Sequence, residues 1–172
     1  EELAALNGAF ELNSDANSTP AMPDVGPACY NQRFVQPQAE ISRSIDILFV
    51  MDTSGSMADN RAKVADGISA FVGELPPEVD YQVGVMLAHG SKSAQNGRFF
   101  SHAGNKIFSS QTKSIATIRT ELKAMVLGAP SDSNGEQGEQ GTYALMQALT
   151  TQYAVNQQAG FFRPNASLAI IF

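Results

Sequence analysis

The feature that most constrains the fold is an apolar run over residues 45–51 that ends abruptly at a polar loop, 52–56. The run is rich in β-branched and aromatic residues and shows little polar alternation, which is typical of a strand buried on both faces of a parallel sheet. Similar runs cover residues 81–87 and 166–172. The pattern therefore predicts a sheet that is covered on both sides.

Segments with helical periodicity separate the strands, over 58–75, 114–127 and 140–153, and residues 98–110 are predicted to form an edge ribbon. This alternation predicts an α/β fold, Rossmann-like and doubly wound, with a mainly parallel sheet flanked by helices. The apolar positions at core spacing are Val64, Ile68, Phe71, Val72 and Leu75 in the first helix, Ile115, Ile118, Leu122, Met125 and Val126 in the second, and Ala144, Leu145, Ala148 and Leu149 in the third.

Residues 1–40 have a different character, with turn-forming polar residues and prolines in place of periodic apolar ones. We predict an irregular amino-terminal extension over 1–40 and an α/β domain over 41–172. The single cysteine, Cys29, lies in the extension. It is either a small buried apolar residue or the partner of a cysteine outside this chain.

Charge and hydropathy exclude two classes of partner. The formal net charge is -6 and no basic cluster is present, so neither nucleic acid nor an anionic membrane surface is expected to bind. No window holds the roughly 18 uninterrupted apolar residues that a transmembrane helix requires. The hydrophobic fraction of 43% suffices for a folded core.

The polar loop after the first strand carries Asp52, Ser54 and Ser56 at alternate positions, with Gly55 between the serines. A loop between a strand and a helix lies at the carboxyl edge of the sheet, where open α/β folds bind their ligands. One carboxylate and two hydroxyls are hard oxygen ligands suited to Mg²⁺, Mn²⁺ or Ca²⁺. The alternative is that these residues only cap the following helix. Their position directly after a buried strand favours the metal site.

The string I-D-I-L-F-V-M-D-T-S-G-S-M resembles the first strand and the metal-ion-dependent adhesion site (MIDAS) of a von Willebrand factor A domain. The order of strands and helices is similar to that family from about residue 44 to residue 172. The resemblance implies that Asp52, Ser54 and Ser56 hold a divalent cation, with Mg²⁺ first and Mn²⁺ or Ca²⁺ as alternatives. It also implies that an acidic group of a partner completes the coordination shell. The residues expected to contact that partner are Gly55, Met57 and Gly138.

The second loop departs from the common pattern of the family, in which a threonine completes the site. By motif position that threonine is replaced by Glu139, and the string G-E-Q-G-T-Y-A-L resembles a subgroup of bacterial A domains with acidic residues here. Thr142 is the competing candidate and Glu136 a weaker one. Glutamates at these positions can also simply stabilise the helix N-terminus through its dipole. A Glu139 ligand, together with Asp52, would neutralise the double charge of the cation, which weakens its attraction for a partner carboxylate.

The third loop of the family, which carries a final aspartate, follows the fourth strand, and this chain stops inside that strand at Phe172. We therefore expect a domain truncated after its fourth strand, with the remainder beyond residue 172. That remainder is one candidate partner, and a disulfide partner for Cys29 would lie in it. The bacterial subgroup and the cysteine favour a secreted or cell-envelope protein whose signal has been removed.

Two other functions compete with adhesion. A hydrolase is not expected, because the chain lacks a nucleophile elbow, a phosphate loop and a zinc-protease helix, and neither His89 nor His102 lies in a recognisable motif. An intracellular assembly or chaperone-type scaffold would keep the fold and change its role. We expect a non-enzymatic, metal-ion-dependent adhesion module whose partner is a protein or surface polymer presenting a carboxylate.

Overall fold

The computed structural model describes residues 44–131 and 138–172. The extension over 1–40, with Cys29, and the candidate Glu136 lie outside the described residues. All described elements belong to one compact unit, Glu40–Phe172. Within the described ranges, no helix is both long and apolar enough to cross a membrane.

Four strands form one sheet. They are β1 (Ser44–Met51), β2 (Asp80–Leu87), β3 (Ile107–Ser109) and β4 (Ser167–Ile171). Across the sheet their order is β3-β2-β1-β4, with β1 parallel to β2 and β4, and β3 antiparallel to β2. Because β1 and β2 pair along their full length, with Met51 opposite Leu87, the loops that follow these two strands begin side by side.

Helices cover both faces of this sheet. A 3-10 turn at Gly55–Met57 precedes the four helices, which are α1 (Arg61–Gly73), α2 (Ile115–Leu127), α3 (Gly141–Leu149) and α4 (Tyr153–Gln158). α1 and α2 pack on the face that carries Ile47 and Phe49, whereas α3 packs on the face that carries Leu48 and Val50. Successive side chains of a strand point to opposite faces, so β1 contributes to both cores. The predicted α/β fold, a mostly parallel sheet flanked by helices, is confirmed.

Most of the predicted core positions are buried, and three are exposed. Phe71, Ile115 and Leu149 have exposed fractions of 42%, 39% and 41%. Ile115 is the first residue of α2 and Leu149 the last of α3, so both lie where a helix leaves the sheet. Phe71 covers Phe49 from outside, with the two ring centroids 5.9 Å apart and the rings nearly perpendicular.

The predicted helix over 140–153 is present as α3 but ends at Leu149, and α4, which begins at Tyr153, was not predicted. Asn156 is buried, and its side-chain Nδ2 donates to the carbonyl oxygens of Ala148 and Gly97. The carbonyl of Ala148 lies in the last turn of α3, where helical carbonyls lack intrahelical partners. This side chain therefore stabilises the end of α3 without a glycine or proline in the sequence.

The predicted strand over 166–172 is present as β4, but the prediction that it is buried on both faces was wrong. Leu168 is 42% exposed and Phe172 is 71% exposed. Among the described strands β4 has only β1 as a neighbour, so it lies at an edge of the sheet. The predicted edge ribbon over 98–110 consists of β3 and two single bridges, Met86–Phe99 and His102–Asn105.

Candidate metal site

The loop after β1 is held against the loop after β2 at the carboxyl edge of the sheet. The backbone N–H of Ala88 donates to the carbonyl of Met51 at 2.8 Å, which extends the β1–β2 pairing by one hydrogen bond. The chain then leaves the sheet at Asp52. This arrangement brings the candidate ligands to the edge where the sequence predicts them.

Within the loop, short hydrogen bonds order the three candidate ligands. The Oδ1 atom of Asp52 accepts a hydrogen bond from the backbone N–H of Ser54 at 2.7 Å. The Oγ atoms of Ser54 and Ser56 lie 3.0 Å apart. The 3-10 turn starts here, with Met57 N–H donating to the carbonyl of Ser54 at 3.1 Å. The sequence therefore folds this loop so that its carboxylate and both hydroxyls are fixed by neighbours within the same five residues.

The helix-capping alternative requires a side-chain oxygen of the aspartate or a serine that accepts a backbone N–H in the first turn of the helix. Asp52 accepts the N–H of Ser54, which precedes the 3-10 turn and does not belong to it. Ser54 precedes the 3-10 turn, but its side chain makes no capping hydrogen bond. Asn60, which precedes α1, makes none either. The hydroxyls of Ser54 and Ser56 are instead hydrogen-bonded to one another, so capping does not explain their position.

The spacing of the hydroxyls fits a small divalent cation. At the metal–oxygen distance of Mg²⁺, about 2.0–2.1 Å, two adjacent octahedral ligands lie about 2.9 Å apart. The 3.0 Å between the Oγ atoms of Ser54 and Ser56 is close to this value. No group of three or more histidine, cysteine or acidic side chains gathers within the described ranges. The candidate set contains at most two acids, Asp52 and Glu139, and its other ligands are hydroxyls, so it is not a cluster of that kind.

The second loop lies beside the first. The backbone N–H of Thr53 donates to the carbonyl of Gly138 at 3.2 Å, and the N–H of Gln140 donates to the carbonyl of Ala88 at 2.8 Å. Gly138 has a φ of +70°, and a Cβ there would lie 2.6 Å from Thr53 Oγ1. Only glycine allows both this backbone conformation and this close approach.

Both second-loop candidates reach the neighbourhood of Asp52. Glu139 and Thr142 line a cavity of about 210 Å³ together with Asp52, and both are exposed. Of the residues predicted to contact a partner, Gly55 is exposed and Met57 is half-buried, whereas Gly138 is buried against Thr53. The structure therefore brings Asp52 together with Glu139 and Thr142 at one cavity, whereas Ser54 and Ser56 do not line it. Gly138 makes a packing contact with Thr53 inside the loop.

A buried hydrogen-bonded chain next to the site was not found from the sequence. Thr53 Oγ1 lies 2.8 Å from His89 Nε2, and His89 Nδ1 lies 2.8 Å from Ser93 Oγ. The backbone N–H of Gln95 also donates to Ser93 Oγ at 3.1 Å. The exposed fractions of Thr53, His89 and Ser93 are 0%, 3% and 9%. A hydrolytic serine–histidine pair must be reachable by substrate, so this burial favours a structural role for the pair.

No model of a protein family, no curated protein and no solved structure matches this chain. The interpretation of the site therefore depends on the residues and geometry of the chain itself.

Proposed function

We propose that the chain is a von Willebrand factor A-type domain that acts as a metal-ion-dependent adhesion module. In this proposal Asp52, Ser54 and Ser56 hold a divalent cation, and a carboxylate of the partner completes the shell. The observation that supports it most is the pair of serine hydroxyls, 3.0 Å apart and next to a carboxylate at the carboxyl edge of the sheet. Metal sites bind well when their ligands need little rearrangement.

The charge at Asp52 also supports a cation from solution. Among the described residues no basic side chain forms an ion pair with Asp52, and Oδ2 of this carboxylate accepts no hydrogen bond from them. A half-buried carboxylate whose second oxygen accepts no hydrogen bond from the described residues attracts a hard cation such as Mg²⁺. The donor set contains no sulfur or imidazole, so zinc and copper are not favoured.

The number of ligands supports Mg²⁺ as the preferred cation. Ca²⁺ takes about 6–8 oxygen ligands, whereas Mg²⁺ keeps several of its waters and is held by one or two carboxylates and a few further oxygens, as in the proposed set of Asp52, Ser54, Ser56 and Glu139. Mn²⁺ prefers the same octahedral oxygen geometry as Mg²⁺. We therefore expect Mg²⁺ and Mn²⁺ to bind more tightly than Ca²⁺.

Glu139 and Thr142 give the site two different electrostatic outcomes. With Glu139 as a ligand, the two carboxylates balance the charge of the cation, and the complete site is neutral. With Thr142 in that role, the site keeps a net positive charge and attracts an acidic partner more strongly. We favour Glu139, because it is the motif position and its loop is hydrogen-bonded to Thr53 through Gly138.

The partner in this proposal is a protein or a surface polymer that presents a carboxylate outside the cell or at its envelope. The exposed parts of the site, Gly55, Ser56, Glu139 and Thr142, are where such a group would approach. A single short peptide with one aspartate, compared with its asparagine counterpart, tests this part. Binding of the aspartate peptide that requires Mg²⁺ supports the proposal, and equal binding of the two peptides contradicts it.

The metal site itself is tested by calorimetric titration of the chelator-stripped full chain with Mg²⁺, Mn²⁺ and Ca²⁺. We expect saturable binding that is lost in Asp52→Ala and retained in Glu78→Gln, a control on an exposed carboxylate outside the site. Weaker binding in Glu139→Gln but not in Thr142→Val would assign the second loop to Glu139. Absence of divalent-ion binding by the wild-type chain would overturn the proposed function.

A further inference from the structure

Thr53 lies between two of the proposed ligands, Asp52 and Ser54, and its side chain is buried, as is that of Ser54. Thr53 is fully buried, whereas Asp52 is half-buried and lines the cavity at the sheet edge. Because Asp52 and Ser54 are joined to Thr53 through the backbone, a change in the position of Thr53 shifts both of these ligands.

Two separate loops hold Thr53 in place. His89, in the loop after β2, bonds its hydroxyl at 2.8 Å. Gly138, in the loop before α3, accepts its backbone N–H at 3.2 Å and packs directly against Oγ1. The hydroxyl has no other side-chain partner among the described residues, so His89 fixes its rotamer.

The His89 ring is itself fixed from its other side. Its Nδ1 atom lies 2.8 Å from Ser93 Oγ, which also accepts the backbone N–H of Gln95. A neutral imidazole has one donor and one acceptor nitrogen, and a hydroxyl can serve as either partner. Both ring nitrogens therefore find a hydroxyl, and the ring is clamped between Thr53 and Ser93.

We propose that His89 is a positioning residue for the metal site, acting through Thr53. This inference rests on the proposed function: the chain Ser93–His89–Thr53 orients the loop so that Asp52 and Ser54 face the cation. Residues that orient metal ligands without touching the metal typically contribute about 10–100-fold to metal affinity. The same order of effect is expected here, because a small rotation of Thr53 moves both neighbouring ligands.

The first test changes the hydroxyl of Thr53. Thr53→Val keeps the shape of the side chain and removes its hydrogen bond to His89, whereas Thr53→Ser keeps the hydroxyl. We expect calorimetric Mg²⁺ affinity to fall about tenfold in Thr53→Val and to remain within about threefold of wild type in Thr53→Ser. Chemical unfolding of both variants in chelator measures their stability without metal.

The second test separates the two bonds of the imidazole. In His89→Gln the amide lies near the former Nε2 position and can still reach Thr53, whereas in His89→Asn it lies near Nδ1 and can reach only Ser93. Both substitutions remove the ring from the core, so a merely structural histidine predicts similar losses of stability and no difference in Mg²⁺ affinity. The positioning role predicts that His89→Asn binds Mg²⁺ about tenfold more weakly than His89→Gln.

The outcomes distinguish this inference from the function on which it rests. If the wild-type chain binds no divalent cation, the proposed function fails and the positioning role fails with it. If the wild-type chain binds Mg²⁺ but Thr53→Val and His89→Asn bind it equally well, only the positioning role is overturned. Weak binding by both of these variants, restored in Thr53→Ser and His89→Gln, supports the inference.

Discussion

The two ends of the central strands carry polar clusters that use the same kind of carboxylate in different ways. At the amino end Asp46, in β1, is 1% exposed and pairs with Arg163. Its Oδ2 accepts the backbone N–H of Arg163 at 2.8 Å, and its Oδ1 accepts Nε of the guanidinium at 2.7 Å. The same guanidinium pairs with Asp80 Oδ2 at 2.8 Å and donates to the carbonyl of Ile45 at 3.2 Å.

At the carboxyl end no basic side chain of the described residues forms an ion pair with Asp52. Asp52 accepts one backbone N–H, and the hydroxyls of Ser54 and Ser56 bond to one another. A buried carboxylate such as Asp46 needs an oppositely charged partner within the protein, whereas the half-buried carboxylate of Asp52 is accessible to a cation from solution. The amino-end carboxylate is thus paired within the fold, whereas the carboxyl-end carboxylate belongs to the site that we propose for metal binding.

The largest effect is expected from Arg163→Ala, which leaves Asp46 buried and without its cation. Removing one partner of a buried ion pair typically costs about 3–5 kcal/mol. We expect a loss of this size in the free energy of unfolding, measured with urea and far-UV circular dichroism. The Mg²⁺ affinity of the folded fraction should not change, because the substitution lies at the other end of the strands.

Arg119→Ala is the matched control for that substitution. Arg119 is an exposed arginine on α2 whose Nε lies 3.4 Å from Ser69 Oγ. Exposed polar contacts of this kind contribute within about 0.5 kcal/mol. If Arg163→Ala and Arg119→Ala have similar free energies of unfolding, the pair of Asp46 and Arg163 does not stabilise the fold. The proposed difference between the two ends of the strands would then be wrong.

An intermediate effect is expected from Gly138→Ala, compared with Gly104→Ala. Both glycines have positive φ, +70° and +82°, but a Cβ at Gly104 meets nothing within 4 Å. The backbone penalty of about 1–2 kcal/mol is therefore common to both. Gly138→Ala adds a clash with Thr53, 2.6 Å from Oγ1, so it should be less stable than Gly104→Ala and should alone weaken Mg²⁺ binding. Equal Mg²⁺ affinities of Gly138→Ala and Gly104→Ala, determined by calorimetry, would show that Gly138 does not contribute to the metal site.

The fold could be predicted because its elements are marked by local patterns. The apolar run before Asp52 became β1 within one residue of its predicted bounds. In α2 every predicted core position except Ile115 is buried. The end of α3 at Leu149 could not be predicted, since Asn156, which bonds the last turn of α3, is itself held by Gly97, 59 residues away. The edge position of β4 depends on which strands are its neighbours, which periodicity does not encode.

In the candidate site, too, residues close in sequence could be predicted and contacts between distant residues could not. Asp52, Ser54 and Ser56 are close in sequence and were found as a motif, whereas the bond between Thr53 and His89 spans 36 residues. One signal could have found it. Met51 and Leu87 are paired ends of β1 and β2, and they are also 36 residues apart. Thr53 and His89 each lie two residues beyond these ends, so strand register alone would have placed them together.

The smallest effect is confined to alkaline solution and concerns Tyr81, next to the amino-end cluster. Burial raises the pKa of Tyr81 above its ordinary value of 10.0. Above about pH 10 the unfolded chain therefore loses the phenolic proton before the folded chain does, so unfolding releases a proton and stability falls as pH rises. Tyr81→Phe removes this contribution. The free energy of unfolding of the variant should therefore fall less steeply with pH than that of the wild type, and the two slopes should differ by up to about 1.4 kcal/mol per pH unit. Asp52→Ala should keep the wild-type slope, because the carboxyl end plays no part in it. Parallel urea titrations from pH 7 to pH 11 measure the three slopes, and a wild-type slope in Tyr81→Phe would contradict the assignment.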